Sequence, residues 1–162
     1  MSPIHPSLAL LAGAAKQRNW SGLQKQFAAA LRNPAWLRAE HRIGDPTGYM
    51  RHLLYVDPHG DFCMTAITWL PGQVSPVHGH QVWCAFGVAE GELTEEHFGE
   101  SYGKLSLVKT CTYREGEVAE RDLESRTIHR VANRTRGTIV SLHLYGVAAE
   151  RLTTGINRIY SS

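Results

Sequence analysis

From Tyr49 onward the chain is a succession of short runs rich in β-branched and aromatic residues, cut by Asp57-Pro58-His59-Gly60, Pro71-Gly72, Glu90-Gly91 and Glu115-Gly116. Pro, Gly and Asp in such clusters supply the restricted and positive φ angles that tight turns need, so each cluster marks a reversal between strands. About eight or nine strands fit this punctuation. No helical pattern lies between them, which points to antiparallel strands in a barrel or double-sheet jelly roll rather than βαβ units. No internal repeat with a fixed period is evident.

The first forty residues have a different texture and read as helix. Ser21 and Gln24 form a Ser-x-x-Gln capping box, followed by Leu23, Phe27, Ala30 and Leu31 at helical spacing. Asn33-Pro34 ends that helix, and Asn33 is placed to cap a short further one through Ala35, Trp36 and Leu37. Beyond Gly44-Asp45-Pro46 the strand pattern takes over. The expectation is one domain over 1–162, with a helical segment at 1–45 and a mainly β barrel at 46–162, a size that suits a single core.

Charge excludes some roles. Lys and Arg number 17 against 15 Asp and Glu and are scattered, so no electrostatic footprint for nucleic acid is present. The apolar stretch from Leu8 to Ala15 is too short to span a bilayer and has no basic leader, so no membrane partner is expected and a cytoplasmic location is. Cys63, Cys84 and Cys111 are odd in number and lack a CxxC pair, which argues for thiols rather than a disulfide framework or a zinc ribbon.

His78-Gly79-His80 lies at the start of the run Gln81 to Phe86, and residues two apart on an extended strand face the same way. Both imidazoles can reach one ion, and imidazole suits iron, zinc, copper or nickel alike. An isolated His-x-His is usually no more than two histidines on a solvated strand face. Here it sits in a wider pattern: Pro71-Gly72, Pro76-Val77-His78-Gly79-His80, Gly91, and downstream Ile128-His129-Arg130-Val131-Ala132-Asn133. This resembles the two cupin motifs over most of Tyr49 to Tyr145. The resemblance implies a cupin-type barrel with His129, four residues before Asn133, as the third metal ligand. Cupins commonly carry a glutamate ligand four residues after the second histidine, where this chain has Cys84. The implied site is then a neutral three-histidine one, which leaves a divalent ion its full charge and favours an anionic ligand such as a thiolate.

Ser141, His143 and Tyr145 alternate with Leu142 and Leu144, so the three polar side chains share one strand face. By pattern alone this fits an amphipathic edge strand with its polar side in water. Together with His-x-His, however, Ser-x-His-x-Tyr about a dozen residues after the third histidine resembles the thiol dioxygenases, notably cysteine dioxygenase. That resemblance implies one Fe(II) per chain, O2 as co-substrate, and a thiol oxidised to its sulfinic acid, with Ser141, His143 and Tyr145 as a hydrogen-bonded relay beside the metal. Some members of the family join a cysteine at the position of Cys84 to the relay tyrosine, so a Cys84–Tyr145 thioether is implied as an option beside an unreacted buried thiol. Cys63 and Cys111 read as core residues.

The segment Tyr49-Met50-Arg51-His52-Leu53-Leu54 resembles the strand in which cysteine dioxygenases place an arginine for the substrate carboxylate. A guanidinium pairs with a carboxylate through two parallel hydrogen bonds, so Arg51 favours a thiol acid, cysteine first. Arg151, six residues past Tyr145, is a weak candidate for a second carboxylate contact, as in 3-mercaptopropionate-type enzymes, and would suit mercaptosuccinate; a plain surface arginine is the alternative. A non-catalytic metal-binding cupin is the competing class. It would have no use for a Ser-His-Tyr chain beside the metal.

Overall fold

The computed structural model describes residues 4–119 and 127–160. Two helices, α1 (Pro6–Lys16) and α2 (Trp20–Arg32), precede ten strands: β1 (Met50–Val56), β2 (Cys63–Trp69), β3 (His78–His80), β4 (Cys84–Glu90), β5 (Glu92–Ser101), β6 (Lys104–Arg114), β7 (Val118–Ala119), β8 (Ile128–Ala132), β9 (Ile139–Tyr145) and β10 (Asn157–Ile159). They form two five-stranded sheets, ordered β1-β2-β9-β4-β7 and β10-β3-β8-β5-β6, and every named pairing is antiparallel. The sequence suggests eight or nine strands. The excess comes from β3, β7 and β10, which are two or three residues long and carry too little pattern to be read.

β2 and β9 are buried along their whole length because each serves two interfaces. Met64, Ala66, Leu142 and Leu144 point outward and pack under Leu8, Leu11, Leu23, Phe27 and Leu31 of the two helices. Ile67, Trp69 and Ile139 point inward, against Phe86, Val88, Leu93 and Val131. Burial of this kind stabilises by roughly 25 cal/mol per Å² of apolar surface, which is why the amphipathic helix α2 lies on the sheet instead of in water. α2 comes close to the sheet at Gly87: a Cβ there would sit 2.4 Å from Leu31 Cδ1 and 2.7 Å from the Glu117 carbonyl oxygen.

Two N-terminal expectations need correction. The α2 cap is Asn19, whose side chain accepts from the Gly22 amide at 3.1 Å, while Ser21 already lies in the first turn and donates to Asn19 Oδ1. Residues 34–37 make a turn, not a helix: the Leu37 amide bonds the Pro34 carbonyl, and the buried Trp36 ring donates from Nε1 to Ala30 O at 2.9 Å. That side chain satisfies an orphan carbonyl in the last turn of α2, which outweighs the weak helix preference of so short a segment.

Turn chemistry fixes the barrel corners. Gly91 holds φ at 88° between β4 and β5, a conformation costly for any residue with a Cβ. Asn133, fully buried after β8, donates from Nδ2 to the carbonyls of Trp69 and Gly137 and accepts at Oδ1 from the amide and hydroxyl of Thr135. The asparagine of the second motif is therefore a clasp between strands, not a ligand.

Candidate metal centre

His78 and His80 occupy the short strand β3, which pairs with β8 so that His78 stands directly opposite His129. β3 is separate from β4, with a break at 81–83, where the sequence suggests one continuous run. The Nε2 atoms converge: His78 to His80 is 3.2 Å and His80 to His129 is 3.4 Å. Ligand nitrogens on one ion stand roughly 3.0 to 3.4 Å apart for bonds of about 2.1 Å at angles of 90 to 109°, so this spacing fits a single metal. The rings are also held from behind. His78 Nδ1 lies 2.8 Å from the Pro76 carbonyl and His129 Nδ1 lies 2.5 Å from Glu95 Oε1, which turns the other nitrogen of each ring toward the shared centre. The three histidines could hold a metal ion, and among the described residues no carboxylate belongs to the group.

Glu95 was not legible as a site residue. It is fully buried on β5 behind His129, and its second oxygen lies 3.2 Å from His97 Nε2. The ligand set is neutral, as the sequence implies, but a carboxylate sits one bond further out. The available signal was Leu93, Glu95 and His97 at alternate positions, which puts a carboxylate on the inward face of a strand where only a partner makes burial tolerable.

Ser141, His143 and Tyr145 lie on β9, the central strand of the first sheet and not an edge, so their shared face points into the barrel. Trp69 Nε1 donates to Ser141 Oγ at 2.9 Å. Ser141 Oγ meets His143 Nε2 at 2.8 Å, and His143 Nδ1 meets the Tyr145 hydroxyl at 3.2 Å. Phe86 stacks on the imidazole at 5.3 Å between ring centres and fixes its plane. The Tyr145 ring stands edge-on to His80 with centres 6.4 Å apart, which brings the chain to the histidine cluster. Burial, with the Cys84 sulfur adding to it and Arg51 opposing, holds the Tyr145 hydroxyl far above the usual phenol range, so it remains an O–H donor at neutral pH.

Cys84 faces Tyr145 across the β4–β9 register. Cys63 faces Tyr145 from the other side, across β2–β9, closer than its reading as an ordinary core residue implies. Its thiol is pushed up to about 11 by burial and then by the Glu150 carboxylate, which keeps it protonated. Cys111 is half-buried on β6, away from this cluster.

Arg51 enters from β1. Its Nη2 donates to the Tyr49 hydroxyl at 3.3 Å, and the Tyr145 phenol lies near enough to act on its charge. Burial works against its charge, but the two phenols more than offset that and hold the guanidinium above its ordinary range. Its Nε–H is buried with no hydrogen-bond partner among the described residues. A small pocket joins Tyr49, Arg51, the three histidines, Cys84, His143, Tyr145 and, unforeseen, Asn157. Arg151 is not brought to it. That residue is exposed on the turn Ala149–Arg151, its side chain lying against Gly155.

The architecture and the histidine-lined interior define a cupin. A double-stranded β-helix protein from Klebsiella pneumoniae superposes with a TM-score of 0.51 at 14% identity, covering 76% of this chain and 93% of that one. A Thermus thermophilus protein gives 0.53 at 18%, with 68% and 96% covered, and a Cupin 2 conserved barrel domain protein from Salinispora arenicola gives 0.50 at 18%, with 70% and 87% covered. At such identities the likeness is one of fold. Within the cupins, the chain belongs to the cysteine dioxygenase type I family, whose model matches residues 21–152. That membership supports an oxidoreductase of the dioxygenase type, with a histidine triad that could bind a metal. Among the described residues no helix is long and apolar enough to cross a membrane.

Proposed function

We propose that the protein is a non-haem iron thiol dioxygenase that converts a small carboxylate-bearing thiol, cysteine first, to its sulfinic acid. The reaction is R–SH + O2 → R–SO2H: both oxygen atoms go to sulfur, which loses the four electrons that O2 gains, so no external reductant is required. His78, His80 and His129 would hold one Fe(II) per chain. When bound, that ion would supply the Lewis-acid and redox chemistry that a thiolate and O2 need in order to react.

The observation that carries the reading is the position of Arg51, a half-buried guanidinium with an unused Nε–H in the same pocket as the three histidines. A buried N–H donor with no acceptor is costly in the free protein, so the pocket favours a ligand that brings one. A carboxylate two or three bonds from a thiol brings the acceptor and leaves sulfur to face the histidines. Tyr145 donates its O–H toward charge developing on oxygen. His143 can carry its proton on either nitrogen, so moving one proton along Ser141, His143 and Tyr145 restores the phenol without water entering.

The test is O2 uptake by iron-loaded protein offered cysteine, 3-mercaptopropionate, mercaptosuccinate and cysteamine, with sulfinate identified by mass. The proposal expects carboxylate thiols to be oxidised and cysteamine to be a poor substrate; no uptake with any carboxylate thiol would refute it. The exposed position of Arg151 leaves mercaptosuccinate without a second arginine and favours the monocarboxylates.

A further inference from the structure

The pocket holds a second orphan. Asn157 lines it, and Asn157 Oδ1 is buried with no hydrogen-bond partner among the described residues. Its placement follows from the strand register: β10 pairs with β3 so that Asn157 stands directly opposite His80, and directly opposed residues turn their side chains to the same face of a sheet. The Asn157 carboxamide is thus a neighbour of a histidine in the metal centre, reached from the C-terminal edge of the second sheet. Arg51 reaches the pocket from β1 of the first sheet. The two unsatisfied groups are of opposite kinds, an N–H donor on Arg51 and a C=O acceptor on Asn157.

A ligand complementary to both must carry an anionic acceptor and a hydrogen-bond donor in addition to its metal-seeking thiol. A thiol that is only an acid satisfies Arg51 and leaves Asn157 Oδ1 unpaired; a thiol amino acid satisfies both. We infer that Asn157 is a specificity-determining residue whose Oδ1 accepts a hydrogen bond from the α-amine of the substrate, selecting an amino thiol acid over its deaminated analogue. The inference rests on the carboxylate-thiol reading above and narrows it. A site built to hydrogen-bond a polar group discriminates strongly against an analogue lacking it, because its own buried group is then left unpaired.

The test is anaerobic binding to the iron-loaded protein, measured by calorimetry with L-cysteine and with 3-mercaptopropionate. Iron content is measured in each variant. Wild-type protein should prefer L-cysteine. Asn157→Leu should weaken L-cysteine about ten- to hundredfold, the worth of a hydrogen bond to a charged group, and leave 3-mercaptopropionate within about twofold. Asn157→Asp keeps an acceptor at the same place and should retain the preference for L-cysteine or enlarge it. Equal losses for both thiols in Asn157→Leu, or a wild-type protein without preference, overturn the inference. If Asn157→Leu does not fold, the Asp variant decides, and loss of its preference for L-cysteine overturns the inference. Because binding is read without O2, protein that shows the preference but never consumes O2 supports the role of Asn157 while refuting the dioxygenase reading. Protein that oxidises both thiols with no preference in binding refutes the role of Asn157 alone.

Discussion

Tyr145 and Cys84 are direct cross-strand partners in neighbouring antiparallel strands, both buried and both lining the pocket of the three histidines. Side chains so paired have Cβ atoms about 4.5 to 5.5 Å apart, within reach of a bond between sulfur and the phenol ring. We predict that turnover with iron and O2 joins them, O2 taking up the two electrons and two protons released. Intact mass after turnover should fall by about two hydrogens. Peptide mapping should locate the link at Cys84 and not at Cys63, the other partner of Tyr145, whose thiol stays protonated. An unchanged mass with all three cysteines alkylatable rejects the link.

His129→Ala should remove one of three converging nitrogens, lower iron content sharply and abolish activity. Glu95 is the more informative position, since it meets His129 at Nδ1, away from the nitrogen that faces the other two histidines. Removing such an outer partner typically costs 10- to 100-fold in metal affinity, so Glu95→Gln should raise the metal dissociation constant by about tenfold and Glu95→Ala by more. Competition with a chelator measures this directly. Identical affinities in all three proteins would reduce Glu95 to a packing residue.

Arg51→Ala should lower kcat/KM for carboxylate thiols by at least about thirtyfold and leave cysteamine nearly unaffected, because truncating one partner of a desolvated, hydrogen-bonded charge pair costs on the order of 2 to 5 kcal/mol. Arg51→Lys should recover only part of the loss, since the ammonium keeps the charge but not the two-pronged geometry. Unchanged kcat/KM for cysteine in the alanine variant removes Arg51 from the substrate site and leaves the histidine cluster untouched.

Gly87→Val should destabilise the fold by about 2 to 3 kcal/mol, since the added methyls meet Leu31 and a backbone carbonyl that cannot swing aside. A denaturant midpoint unchanged from wild type would show that α2 shifts freely on β4. Pocket geometry, read by metal affinity in the folded variant, should survive.

The barrel was legible from short-range pattern, and the histidine cluster from such a pattern together with the resemblance to the cupin motifs. Turn residues at the corners announce the strands, His78 and His80 share a face through spacing alone, and His129 and Asn133 keep a fixed interval. Other features depend on partners distant in sequence. Whether Ser141, His143 and Tyr145 face water or the interior turns on β9 being central, which no local pattern reveals. Glu95 and Asn157 belong to the site only because β5 and β10 pair beside β8 and β3. The helix cap moved from Ser21 to Asn19 because two good cap residues stand two apart, and both were compatible with the apolar spacing that follows.

β9 also links two properties that are usually tuned independently. Its odd-numbered side chains from Ser141 to Tyr145 form the relay, while Leu142 and Leu144 between them are set in the helical layer. A residue such as Phe27, on the opposite face of the sheet from the histidines, thereby packs against the back of the strand that carries the Tyr145 hydroxyl. Substitutions in α1 or α2 should then register first as altered melting, and altered turnover should follow only where the backbone of β9 itself shifts, which makes the helical coat the footing of the hydrogen-bonded chain.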